Sequence, residues 1–188
     1  MRLFIAVNFE PQLEELIASA IDSFPVANAP WRWTHPEAWH VTLKFLGETA
    51  ETDVAPISRC LDQVAGQHAS FRFELRDFGG FPNLRRPRVL FYRIDEGADR
   101  LERLAFDINQ VLGDVMRIPK DDKRFRAHVT VARVKSRLAP SVVVDLQDVP
   151  PLEGAVQTVR SIDLMKSELR RDGAHYQRLK AFALPHGS

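Results

Sequence analysis

The chain has 188 residues, 45 % of them hydrophobic, and 26 Lys+Arg stand against 25 Asp+Glu. That length buries one substantial core, and the even charge balance excludes a protein that grips nucleic acid by overall positive charge, so an anionic ligand must be held by a local patch. The single cysteine, Cys60, excludes an internal disulfide and a thiolate zinc cluster; it reads as a packed helix residue in a reducing, cytoplasmic compartment.

Leu3 to Asn8 suits a buried strand, and Pro11 opens a stretch with Leu13, Ile17, Ile21 and Phe24 at helical spacing. The apolar run is too short for a signal peptide or a membrane span, so no membrane partner is expected. Trp39 to Leu46 is a second strand, punctuated by Gly47, and Val54, Ile57, Leu61 and Val64 mark a second helix. Phe71 to Leu75 and Val89 to Ile94 read as strands around a loop rich in Gly, Pro and Arg (Gly79 to Arg88). Leu101, Leu104, Ile108 and Leu112 give a third helix, and Ala127 to Val134 another strand.

Beyond Pro140 the pattern turns to β-like runs, Thr158 to Lys166 and Ala174 to Phe182, joined by a hairpin-like SELRRDGAH with Gly173 near its turn. The tail from Leu184 to Ser188 reads as frayed. No linker divides the chain. The expected fold is α/β (α+β), one domain over residues 1–188 with two pseudo-symmetric lobes, each an antiparallel-rich sheet with helices on its outer face, flanking a central groove.

Each half carries a strand with a related tetrapeptide, HVTL (His40 to Leu43) and HVTV (His128 to Val131), at an offset of 88 (128 − 40). With six histidines and six threonines in the chain, chance gives two His-x-Thr pairs roughly one or two times in a hundred, so the repetition carries weight that one pair would not. On an extended strand His40 and Thr42 share one face and Val41 and Leu43 the other; His128 and Thr130 stand likewise against Val129 and Val131. Lobes packed about a pseudo-twofold axis bring two imidazoles and two hydroxyls around one point, a site for a tetrahedral oxyanion. Phosphodiester cleavage needs a base for the attacking oxygen and an acid for the leaving oxygen, in line across phosphorus. Imidazoles titrate near neutrality and suit both tasks, while threonine hydroxyls donate to the non-bridging oxygens. The scheme needs no metal and no cofactor, and the sequence has no HExxH, paired Cys-x-x-Cys or EF-hand loop.

HVTLKFLG (His40 to Gly47) and FRAHVTVARV (Phe125 to Val134), with the opening RLFIAV and the segment GGFPNLRRPRVLF, resemble the two-histidine phosphoesterase superfamily, specifically the LigT-type RNA 2′,3′-cyclic phosphodiesterases, also named 2′,5′ RNA ligases. The resemblance spans nearly the whole chain. It implies an enzyme that hydrolyses the 2′,3′-cyclic phosphate end of RNA, such as a tRNA-like fragment, to a 2′-phosphate. His40 would protonate the leaving 3′-oxygen and His128 would activate water; reversal would give 2′,5′ ligation. The match also implies that Arg133 contacts phosphate and Phe45 stacks on a base or sugar. Strand alternation puts both on the face opposite the histidines, so a bulge, twist or strand end must follow each motif. Lys44 and Arg126 have the parity of the histidines and are the phosphate partners that alternation itself selects. Ala127 departs from a family in which proline often precedes the second histidine.

Other residues have plainer readings. Arg85, Arg86 and Arg88, with Phe81 and Pro82, form either an RNA-gripping loop or a solvated one, and so does the mixed-sign KDDKRFR from Lys120 to Arg126. His35, His68, His175 and His186 have no matching partner and read as structural or exposed. Of Trp31, Trp33 and Trp39, at least one belongs to the core and one is a candidate for a nucleobase groove. A two-histidine phosphodiesterase acting on a 2′,5′-oligonucleotide or a small cyclic phosphate competes with this function, as does a catalytically silent RNA-binding module. A monomer is expected, because the cleft forms within one chain.

Overall fold

A computed structural model of the chain describes residues 1–24, 30–170 and 173–187. Strand β1 (Arg2–Asn8) leads into helix α1 (Pro11–Asp22), which begins with proline at its first position, where no backbone N–H is missed, and buries Leu13 and Ile17. A short strand β2 (Trp31–Trp33) precedes β3 (His40–Glu48), and helix α2 (Val54–Gly66) buries Ile57, Leu61 and Val64. The second half repeats the order: β4 (Phe71–Phe81), β5 (Val89–Ile94), helix α3 (Ala98–Met116) and β6 (His128–Val134). Helix α4 (Pro140–Gln147), β7 (Val156–Val159), β8 (Ser161–Arg170) and β9 (Gly173–Ala183) complete the chain.

Two antiparallel sheets result, one ordered β3-β1-β8-β9 and the other β2-β6-β5-β4-β7. The expected two-lobed α/β architecture holds. Strand β1 with β3 in one sheet corresponds to β5 with β6 in the other, and β3 meets β6 where the sheets converge. The sheet faces turned from the groove share one contiguous apolar core, from Leu3, Ile5 and Val7 through Leu61 and Leu104 to Phe73, Leu90 and Val129. Helix α2 packs on β8, β9 and α3, and α3 also packs on β3.

Three local expectations are corrected, and one helix was not anticipated. Phe71 to Leu75 extends to Phe81 as one long strand, leaving a shorter loop before Val89. The run Thr158 to Lys166 is two strands, because the chain changes sheet at Arg160: β7 pairs with β4 and β8 with β1. Pro140–Gln147 is helical although Val142, Val143 and Val144 favour a strand. The tail through Gly187 is tied down: Leu184 is buried and its N–H donates to the Arg160 carbonyl at 2.8 Å, while the Pro185 carbonyl accepts from Ser70 N–H at 2.7 Å. Ser188 and the tip of the β8–β9 hairpin at Arg171 and Asp172 lie outside the described residues.

Candidate active site

His40 and Thr42 on β3, and His128 and Thr130 on β6, line one groove of about 2290 Å³. The two motifs are built alike down to their irregularities. On β3, Thr42 pairs with Ala6 but Lys44 pairs with Ile5, so Leu43 is an extra residue; on β6, Thr130 pairs with Phe91 but Ala132 with Leu90, so Val131 is extra. Each bulge buries two successive side chains, Leu43 with Lys44 and Val131 with Ala132, and inverts the alternation beyond them. Phe45 and Arg133 thereby arrive in the groove with the histidines.

The same inversion sets the place of Lys44 at the groove wall. It turns the side chain inward, where the ammonium is held by Asn109 Oδ1 at 2.7 Å, the Pro119 carbonyl at 3.0 Å and Asp121 Oδ2 at 3.1 Å. A buried cation with three acceptors braces β3 against the segment after α3. Arg126 precedes β6 and stays exposed in the groove, its guanidinium 5.8 Å from the Phe81 ring centre.

Aromatic rings hold both imidazoles. Phe4 and Tyr176 lie 5.0 and 5.2 Å from His40, and Phe81 and Phe91 lie 4.9 and 5.4 Å from His128, centroid to centroid. Each ring also hydrogen-bonds the carbonyl two residues upstream, Ala38 for His40 and Arg126 for His128, the latter through Nδ1 at 2.6 Å. A carbonyl only accepts, so Nδ1 of His128 carries the proton and Nε2 is left for the groove. Burial pushes His40 down to about 4, opposed by the Ala38 carbonyl and reinforced by repulsion from a charged His128. Burial also lowers His128, against the pull of the Arg126 carbonyl. Near neutral pH both imidazoles are therefore uncharged.

Among the described residues nine lysines and arginines line the groove against four acidic residues, a local excess in a nearly balanced chain. All seven residues from Lys120 to Arg126 contribute, whereas Arg85, Arg86 and Arg88 stand outside. Trp31 and Trp39 are core and Trp33 lines the groove. His35 and His175 also reach the groove, while His68 is structural, its Nε2 3.0 Å from Asp107 Oδ2. Phe4, Phe91 and Tyr176 were not legible as site residues, since only the strand pairing brings them beside the histidines. Among the described residues no helix is long and apolar enough to cross a membrane.

The family described as "LigT like Phosphoesterase" matches residues 7–91, which contain the first motif. A Thermus thermophilus protein named RNA 2′,3′-cyclic phosphodiesterase is 37 % identical, over 98 % of this chain and 90 % of its own. An Aeropyrum pernix protein of the same name is 34 % identical, over 87 % of this chain and 92 % of its own. The crystal structure of TT0787 of Thermus thermophilus superposes with a TM-score of 0.81 at 33 % identity, over 100 % of both chains. The chain belongs to the LigT-like phosphoesterase family.

Proposed function

We propose that this chain hydrolyses the 2′,3′-cyclic phosphate end of RNA to a 2′-phosphate, with His40 as proton donor and His128 as proton acceptor. The observation that carries the reading is the matched pair of imidazoles on twin bulged strands, both opening on a groove with a cationic lining. The curated relatives named RNA 2′,3′-cyclic phosphodiesterase support the substrate.

In this scheme His128 Nε2 takes a proton from water as its oxygen attacks phosphorus. The bond to the 3′-oxygen breaks, and His40 protonates that oxygen to give a 3′-hydroxyl and a 2′-phosphate. His128 then holds a proton and His40 lacks one, and exchange with solvent resets the pair. The bound phosphate carries the negative charge that makes imidazolium favourable in a groove that otherwise opposes it. The more strongly depressed imidazolium is the stronger acid and the better donor to an alkoxide, which supports His40 in that role. Thr42, Thr130, Arg133 and Arg126 supply donors to the phosphate oxygens, and Phe45 a stacking surface for the terminal base. Reversal of the same steps joins such an end to a 5′-hydroxyl. No step requires a metal.

The chain would act as a monomeric, two-lobed domain over residues 1–188, because one copy supplies both histidines. The lone buried thiol of Cys60 suits a cytoplasmic setting, and tRNA-like fragments are the RNA class assigned. The test is product analysis of an oligoribonucleotide ending in a 2′,3′-cyclic phosphate, incubated in EDTA with wild type, His40→Ala and His128→Ala. Conversion to a 2′-phosphate by wild type alone is expected; bound but unconverted RNA would favour a binding module, and absence of binding a different diester.

A further inference from the structure

Glu102, Ala105, Phe106, Asn109 and Gln110 line the groove at the spacing of one face of α3. That face lies beside the stripe of Leu101, Leu104, Ile108 and Leu112 that enters the core, so polar residues are expected at its outer edge. Phe106 breaks the pattern with a ring 51 % exposed. Among the described residues only Phe45, at 66 %, is a comparably exposed aromatic, and it lines the same groove.

The two rings flank one contact. Lys44, next to Phe45, hydrogen-bonds Asn109, which follows Phe106 by three residues of the helix, an axial step of about 4.5 Å. A cation accompanies the second ring: the Arg103 guanidinium stands over Phe106, 5.7 Å from its centre. It is held there by Asp107, which accepts from Arg103 Nε at 3.0 Å and also meets His68 Nε2 at 3.0 Å. Lys123 and Arg124 line the groove as well, with Arg124 Nε 3.2 Å from Glu102 on the same helix.

We propose that Phe106 forms a second nucleotide subsite, in which the base preceding the terminal nucleotide stacks on the face of the ring that Arg103 leaves open. The proposal rests on the reading that the substrate is an RNA end. Every base presents a π face, so the subsite accepts any base and selects for chain length rather than sequence. It makes a longer RNA a better substrate than a mononucleotide with the same reactive end.

The experiment compares kcat/KM for adenosine 2′,3′-cyclic phosphate and for a tetranucleotide ending in the same group, using wild type, Phe106→Ala and Phe106→Tyr. Wild type should favour the tetranucleotide. Phe106→Ala should cut that preference about tenfold, in line with the worth of one stacked base, and Phe106→Tyr should keep it. A preference unmoved by Phe106→Ala, or equal losses on both substrates, would overturn the subsite while leaving the functional reading standing. Failure of the wild type to open either substrate would overturn the functional reading and the subsite with it.

Discussion

Leu43 and Val131, separated by the same 88 positions (131 − 43) as the two histidines, are each the extra residue of a bulge that follows its histidine by three places. The bulges decide which side chains face the groove. They bring Arg133 and Phe45 into the groove and bury the Lys44 ammonium against Asp121 at its wall.

Arg133 and Lys44 should consequently fail in different ways. Arg133→Ala removes a charge-assisted donor and should lower kcat/KM by about ten- to hundredfold with the melting temperature little changed. Lys44→Met removes three buried hydrogen bonds and should cost about 2 kcal/mol of stability, a fall of roughly 4–8 °C in melting temperature. Thermal melts beside steady-state kinetics separate the two, and a Lys44→Met protein of normal stability with impaired substrate binding would restore Lys44 to the phosphate site.

The paired motifs, and hence the site's four central residues, were legible in the sequence because alternation along a strand is a local property. The bulges were legible only as a need. The resemblance required Phe45 and Arg133 to change sides, but where an extra residue falls depends on the register against β1 and β5, strands distant in the chain. The change of sheet at Arg160 was hidden for the same reason, since an apolar run reads alike whichever sheet it joins. Tyr176 reaches His40 from β9, two strands beyond β1, and nothing near either residue announces that contact.

Activity should depend on pH in a reversed sense. In the proposed scheme the productive free enzyme has His40 charged and His128 neutral, yet burial sets His40 at about 4 and His128 below its usual 6.5. With the acid's pKa below the base's, kcat/KM is flat between the two values: it falls at lower pH as His128 becomes protonated faster than His40 gains, and at higher pH as charged His40 disappears. The profile of kcat/KM should therefore centre on the acid side of neutrality, and that of kcat should lie higher because bound phosphate favours imidazolium. A kcat/KM profile centred at pH 7 or above would contradict the burial of His40.

The same shift bears on stability. Above pH 6.5 His40 is neutral folded or unfolded and contributes no dependence; as pH falls from 6.5 toward 4 the unfolded chain takes up the proton first, and stability drops. His40→Gln should flatten this part of the stability curve, measured by denaturant unfolding at pH 7, 6, 5 and 4. An unaltered slope would mean that other groups dominate acid sensitivity.

Gly79 leaves room for the ring that backs His128. A β-carbon there would lie 2.7 Å from the end of the Phe91 ring, which stacks on Phe81 at 4.2 Å and touches His128. Gly79→Ala must tilt Phe91, at a cost of about 1–3 kcal/mol, and should lower kcat about tenfold through misplacement of the imidazole. Adding Phe91→Leu should relieve the crowding and recover stability without restoring kcat. Recovery of both would show that Phe91 does not position His128.

Thr34, at the groove wall, ties the two motifs together. Its hydroxyl accepts from Trp39 Nε1 at 2.8 Å and faces the carbonyls of Val131 at 2.9 Å and Thr130 at 3.1 Å, while its own N–H donates to Val131 at 2.8 Å. The residue before His40 is thereby linked to the bulge that follows His128. Thr34→Val keeps the shape but leaves the buried indole N–H without its acceptor, which should cost about 2 kcal/mol. Thr34→Ser should recover most of that loss. In a double-mutant cycle, Trp39→Phe should cost about 1 kcal/mol less in the Thr34→Val background than in wild type. Additive losses would mean that the indole and the hydroxyl act separately and that the spacing of the two strands is set elsewhere.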